Sequence, residues 1–219
     1  VNRFICVATN LDDAKECWQL AQQYQNIYAS AGIHPHDAKD APKNFVEKIY
    51  DFLSHSSMVA VGEMGLDYFR NISNPIIQKS VFRSQMQIAQ ELKKPIIFHN
   101  RDADYDVIKI LKEYPDVCGV AHCFSSSLET AKIFIELGYY ISFSGNITFK
   151  NSHLPLVAKE LPLEKILVET DCPYLSPVPF RGKPNEPGRT RFVAEELAKI
   201  FDVTLDLIAE KTSDNATAL

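Results

Sequence analysis

The sequence predicts an α/β fold, a TIM barrel of the (β/α)8 type without its first strand, and two observations support this fold class. Short β-branched or apolar runs recur along the 219 residues with amphipathic stretches between them, which is the alternation of βα units around a parallel sheet. Seven such units follow one another without a chain reversal, and this fits a barrel better than a doubly wound sheet. Because Val1 leads almost at once into a strand, we expect the missing unit at the N-terminus.

The predicted strands are the apolar runs themselves, at residues 3–8, 26–31, 58–62, 95–98, 118–122, 139–143 and 165–169. Helical patterns are predicted between and after them, at residues 11–24, 42–54, 75–92, 104–114, 128–137, 154–160, 189–201 and 205–211. No linker, repeat or low-complexity segment interrupts this order. We therefore predict a single barrel domain over residues 1–219, truncated at its N-terminus.

Charge and cysteine usage limit the classes of function. The net charge of −5 argues against a broad basic surface that grips duplex DNA, so metal ions would have to hold the phosphates of a nucleic-acid substrate. The five cysteines are an odd number without CxxC spacing, and no secretory leader is recognisable, which predicts reduced thiols and a cytoplasmic protein. Because there is no apolar run of about 18 residues, we expect no membrane partner.

Polar residues stand directly after five of the predicted strands, where the chemistry of a barrel is placed. They lie in the stretches GIHPH, GEMGLDY, FHNRD, AHCF and VETDCPYL. Ionisable groups behind apolar runs need a partner or a metal, and five strands with this pattern indicate one shared site. Histidine and carboxylate ligands suit zinc, manganese or magnesium without deciding among them.

Two neighbouring metals can activate a water and neutralise charge on a phosphodiester, which fits an acidic protein. Such a pair needs a bridging carboxylate and a carboxylate that takes the proton of the attacking water. Glu63 suits the first role and Asp171 the second. Structural readings stay open for each residue alone: a lone His99 or His122 can hydrogen-bond a backbone carbonyl, and other acids, Asp67, Asp102 and Asp104, can cap turns or helices.

The motifs GIHPHD, GEMGLDY, HNRDA, HCF and ETDCPYLSP, in this order, closely resemble the TatD family of metal-dependent deoxyribonucleases. The resemblance extends through PVPFRGKPNEP to the terminal NATAL. It implies a barrel of the amidohydrolase type with two divalent metal ions, magnesium, manganese or zinc, and hydrolysis of DNA phosphodiester bonds. By the same resemblance Glu63, His99, His122 and Asp171 are the metal ligands, His34 lies near the substrate phosphate, and Arg101 helps to position it.

The sequence departs from this family at its beginning. The family pattern opens with a strand ending in an HxH pair, and no such pair precedes Val1; the HxH at His34 to His36 belongs to a later strand. We expect a truncated chain that binds one metal well. Two alternatives stay open, a metallohydrolase of the same barrel acting on a small ester, lactone or amide, and an inactive barrel relic with a binding role. The sequence does not indicate an oligomeric state.

Overall fold

The computed structural model describes residues 1–219. Its strands are β1 (Phe4–Cys6), β2 (Ile27–Ala31), β3 (Met58–Asp67), β4 (Ile96–Arg101), β5 (Gly119–Ala121), β6 (Tyr140–Phe143) and β7 (Ile166–Val168). Its α-helices are α1 (Leu11–Gln23), α2 (Phe45–Leu53), α3 (Pro75–Leu92), α4 (Asp104–Glu113), α5 (Leu128–Glu136), α6 (Leu154–Lys159), α7 (Thr190–Phe201) and α8 (Leu205–Ala218). Short 3-10 helices lie at Ala38–Asp40, Gly145–Thr148, Leu163–Lys165 and Pro187–Arg189. All seven predicted strands and all eight predicted helices are present.

The strands follow one another across one sheet in chain order, from β1 to β7. The pairs β1/β2, β2/β3, β3/β4 and β6/β7 run parallel. The chain divides into two compact units, Val1–Val120 and Ala121–Leu219, and the division falls within β5. The single domain expected from the sequence stays a prediction.

In the first unit, local signals in the sequence explain where helices begin. Asn10 precedes α1, and its side chain accepts hydrogen bonds from the amides of Asp12 and Asp13. Asn74 does the same for α3 by accepting from the Ile76 amide, with Pro75 at the first helical position. Such caps satisfy amides that have no partner within the helix. The cap suggested for α4 is wrong, because Ala103 occupies that position and makes no side-chain bond.

Strands β3 and β4 are longer than predicted, because polar residues that we placed in loops remain paired. The register joins Gly65 to His99 and Asp67 to Arg101. Gly65 has a φ of 133°, and a Cβ there would overlap the carbonyl oxygen of His99. Only glycine permits this approach of the two backbones. His99 and Asp67 therefore project from paired strands, whereas Glu63 lies at an irregularity of the β3/β4 register between Val61 and Met64.

In the second unit, an aromatic cluster joins β6 and α5 through the rings of Phe143, Phe124 and Phe134. The rings of Phe124 and Phe143 lie 6.3 Å apart edge to face, and Phe134 and Phe143 are fully buried. The last helix, longer than predicted, is fastened to β7 by Asn215, whose side-chain amide donates to the carbonyls of Leu163 at 2.9 Å and Ile166 at 2.8 Å. This buried amide thus fixes the start of the strand that leads to Asp171.

Membrane insertion was not expected from the sequence. None of the helices combines the length and the apolar character that a membrane crossing requires.

Candidate functional site

A group of three side chains in the first unit has the composition of a metal site. His34 follows β2, Glu63 lies in β3 and His99 in β4, and one ligand atom from each lies within 4.8 Å of the others. The Oε1 atom of Glu63 lies 3.4 Å from Nδ1 of His99 and 3.5 Å from Nε2 of His34. All three residues are largely buried.

The pair formed by Glu63 and His99 fits a divalent metal. Nitrogen and oxygen ligands about 2.0–2.2 Å from a tetrahedral ion lie roughly 3.4 Å apart, close to the 3.4 Å that separates these two atoms. A carboxylate oxygen and an imidazole nitrogen are donors that zinc and manganese accept. The pair could therefore hold a metal without a change of backbone.

The imidazole of His99 is oriented by a buried acid that the sequence assigned only to a turn. Oδ2 of Asp67 lies 3.1 Å from Nε2 of His99 and 2.9 Å from Nε2 of His36. Because a carboxylate accepts, His99 carries its proton on Nε2 and turns the lone pair of Nδ1 toward Glu63. Asp67 also accepts from the Arg70 amide at 2.7 Å, so it does cap a turn.

For both Asp67 and His99, burial and the neighbouring polar groups shift the pKa in opposite directions. Burial acts to raise the pKa of Asp67, but hydrogen bonds from His99, the Arg70 amide and His36 outweigh it and bring the pKa well below its usual range. Burial acts to lower the pKa of His99, but the carboxylates of Asp67 and Glu63, one beside each ring nitrogen, favour the protonated ring and raise the pKa above its usual value. Asp67 is therefore a permanent acceptor, and a metal at His99 would displace a proton.

His34 differs from His99 in the atom it presents. The amide of His36 donates to Nδ1 of His34 at 3.1 Å, so the proton of the neutral ring lies on Nε2, the atom that faces Glu63. A protonated nitrogen cannot ligate a metal, although its distances would allow it. Burial lowers the pKa of His34 to about 4 and keeps the ring neutral. Its Nε2–H is thus a neutral hydrogen-bond donor, which suits a substrate oxygen.

The second unit contains a corresponding histidine between two acids. Nδ1 of His122 lies 2.9 Å from Oε2 of Glu169, and its Nε2 lies 3.5 Å from Oδ1 of Asp171. Oε2 of Glu169 also accepts from the Cys123 amide at 3.1 Å. The proton of His122 therefore lies on Nδ1, and the lone pair of Nε2 is directed toward Asp171. Burial raises the pKa of the Cys123 thiol to about 12, so this cysteine stays protonated.

Arg101, predicted to position a phosphate, lies at the end of β4, and its guanidinium carbon lies 3.9 Å from the ring centre of Phe69. The sequence reading missed the roles of Asp67 and Glu169. Their partners are 32 and 47 residues away in the sequence, so no local pattern could reveal them. One signal was present, since both acids adjoin apolar strand residues.

The sequence is similar to those of known proteins over its whole length. The family described as TatD related DNase matches residues 1–219. The metal-dependent hydrolase YabD of Bacillus subtilis is 43% identical over 222 residues, which cover 100% of this chain and 87% of that protein. The 3'-5' ssDNA/RNA exonuclease TatD of Edwardsiella piscicida is 34% identical over 228 residues, covering 100% and 88%.

A solved structure agrees with the fold as well. The crystal structure of YJJV, a TatD homolog from Escherichia coli K12, superimposes with a TM-score of 0.93 at 31% identity and covers 98% of this chain and 85% of that one. The predicted α/β fold of the TIM type is thereby confirmed. Sequence, fold and family match lead to one conclusion: the chain belongs to the TatD family of metal-dependent hydrolases.

Proposed function

We propose that this chain hydrolyses phosphodiester bonds of DNA, preferably single-stranded, with divalent metal ions held by Glu63, His99, His122 and Asp171. The observation that carries the proposal is the orientation of the two histidines. Each gives one N–H to a carboxylate and turns the other nitrogen toward Glu63 or Asp171. Family membership and the nuclease name of the relative from Edwardsiella piscicida support the choice of substrate.

A divalent metal bound by these residues would polarise the phosphodiester and make a nucleophile of water at neutral pH. The chain's own groups supply the rest. Glu63 would hold a metal ion together with His99, and Asp171 takes the proton of the attacking water. The Asp171 side chain is 30% exposed, compared with 10% for Glu63, so it can exchange that proton with solvent.

Two further residues hold the substrate in this proposal. The Nε2–H of His34 donates to an oxygen of the phosphate, and because the ring is neutral it adds no charge that a metal would repel. Arg101 contributes a permanent positive charge at the end of β4. Both groups lie in the first unit with Glu63 and His99.

The test is hydrolysis of end-labelled single-stranded DNA by protein that is stripped with chelator and reloaded with magnesium, manganese or zinc. Metal catalysis contributes several kcal/mol to the transition state, so Glu63→Gln and Asp171→Asn should each lower kcat by about a thousandfold. Glu113→Gln is the control, because this half-exposed acid pairs with Arg83 on the surface. Equal rates for all four proteins would refute the proposal.

A parallel panel of small esters, lactones and amides separates the alternative reactions. Metal-dependent hydrolysis of these compounds without cleavage of DNA would favour the same-barrel metallohydrolase. Calorimetric titration covers the remaining alternative, since an inactive relic would take up no metal in a manner that depends on Glu63 and Asp171.

A further inference from the structure

Just after β3, the strand that carries Glu63, lies an aromatic ring that the proposed chemistry does not use. Phe69, two residues after the end of β3, is 60% exposed. The Arg101 guanidinium carbon lies 3.9 Å from its ring centre. An exposed aromatic ring beside a cation is the kind of surface on which proteins stack the bases of single-stranded nucleic acids.

The backbone that carries the ring is fastened by hydrogen bonds to Asp67, which also binds His99. It belongs to the turn that Asp67 closes by accepting from the Arg70 amide at 2.7 Å. The same carboxylate binds His99 through its other oxygen at 3.1 Å. The Tyr68 amide, next to Phe69, donates to the Arg101 carbonyl at 2.9 Å. Hydrogen bonds thus fix the backbone of the turn from which the ring projects.

The neighbouring aromatic residue, Tyr68, has a structural role, which Phe69 does not share. Tyr68 donates its hydroxyl to Asp106 at 2.6 Å, and Asp106 in turn pairs with Lys79 at 3.1 Å. Phe69 has no hydroxyl with which to make such a bond, and most of its surface faces water. Its apolar face therefore contributes little to folding and is available to a ligand.

We propose that Phe69 and Arg101 form a base-stacking subsite, on which one nucleobase of a single-stranded nucleic acid lies while the adjoining phosphate accepts from Nε2–H of His34 beside the metal ion that Glu63 and His99 would hold. The subsite rests on the proposed nuclease function and deepens it. Stacking is independent of base identity and provides affinity that a chain with a net charge of −5 cannot obtain from a broad basic surface. Bases inside a duplex are already stacked on each other, so the subsite selects single strands.

The test compares two oligonucleotides of equal length and charge, one of thymidines and one of abasic tetrahydrofuran units. Stopped-flow fluorescence anisotropy with the manganese-loaded protein records binding before hydrolysis. We expect Phe69→Ala to weaken binding of the thymidine strand by about tenfold or more and to leave the abasic strand unchanged. Phe69→Trp should retain binding, since its ring also stacks. Tyr105→Ala, which removes a 79% exposed ring from α4, is the matched control.

Equal binding of the thymidine strand by the parent protein and Phe69→Ala would overturn the subsite, as would equal weakening for both strands. A protein that binds neither strand would overturn it too. Base-dependent binding that is lost in Phe69→Ala, without any hydrolysis in the parent protein, would contradict the nuclease function and leave the subsite standing. Thermal unfolding of each variant confirms that the exposed substitution has not altered the fold.

Discussion

Two histidines of this molecule, His99 in the first unit and His122 in the second, each lie between two carboxylates, yet they use opposite ring nitrogens. His99 gives Nε2 to Asp67 and turns Nδ1 to Glu63, whereas His122 gives Nδ1 to Glu169 and turns Nε2 to Asp171. The same electronic arrangement is thus reached by two different ring orientations. What the two sites share is the outer carboxylate, which fixes the tautomer and raises the basicity of the ligand nitrogen.

The acids around His99 are less exposed to solvent than Asp171 beside His122. The side chains of Glu63 and Asp67 are 10% and 1% exposed, whereas that of Asp171 is 30% exposed. A buried ligand pair holds an ion against exchange, because its donors lose little conformational freedom on binding. An exposed carboxylate can pass a proton to solvent. The first group is therefore suited to retention of a metal, and the second to turnover.

The largest expected effect is on manganese affinity. It distinguishes His99, a metal ligand in the proposed function, from His34, a hydrogen-bond donor. His99→Ala should weaken manganese binding by more than about 100-fold, beyond the 10–100-fold typical of outer partners, because it removes a ligand atom. His34→Ala should leave manganese affinity within about tenfold and instead raise KM for DNA, since Nε2 of His34 carries a proton. Calorimetry and steady-state kinetics measure the two quantities. A similar loss of metal in both variants would show that His34 is a ligand after all.

The next effect is a pH dependence of stability in chelator-treated protein. The folded pKa of His34 is lowered from 6.5 to about 4, so between these values the unfolded chain binds the proton and the folded chain does not. Stability should fall by up to about 3 kcal/mol as pH decreases through this window. Urea unfolding across the window measures it, and His34→Gln should flatten the decrease.

Other groups of the same cluster act in other windows. The raised pKa of His99 adds stability that is complete below about 6.5 and is lost as pH rises through its folded value. The lowered pKa of Asp67 adds stability that is lost only as pH falls below about 3.8. His153→Gln, at an exposed site, is the control. An unchanged slope in His34→Gln would contradict the assignment of the buried neutral ring.

The smallest expected effect concerns the outer carboxylates. Asp67→Asn and Glu169→Gln should each weaken metal binding by about 10- to 100-fold, because the amide no longer fixes the tautomer of its histidine. We expect the larger loss for Asp67, which is almost fully buried and also holds the Arg70 turn. Titration with manganese measures both affinities. Equal losses of metal affinity in the two variants would contradict the expectation that the more buried acid contributes more to metal binding.

The sequence predicted the order of elements because apolar runs and amphipathic stretches are local signals. It also predicted that Glu63 and His99 lie together, since adjacent parallel strands carry them. It placed the ends of β3 and β4 too early, because the polar residues Asp67 and Arg101 look like loop residues until the β3/β4 register is known. The proton position on His34 depends on the amide of His36, a contact that backbone geometry alone determines.

The two hydrogen bonds donated by Asn215 have a practical consequence for work with shortened variants of this chain. Its side-chain amide donates hydrogen bonds to the carbonyls of Leu163 and Ile166. Asp171 lies five residues after Ile166. Proteolytic trimming at residue 214 would leave both acceptors unpaired and loosen the base of that segment. Any shortened variant of this chain should therefore keep Asn215, because its loss would be read, mistakenly, as a defect in catalysis.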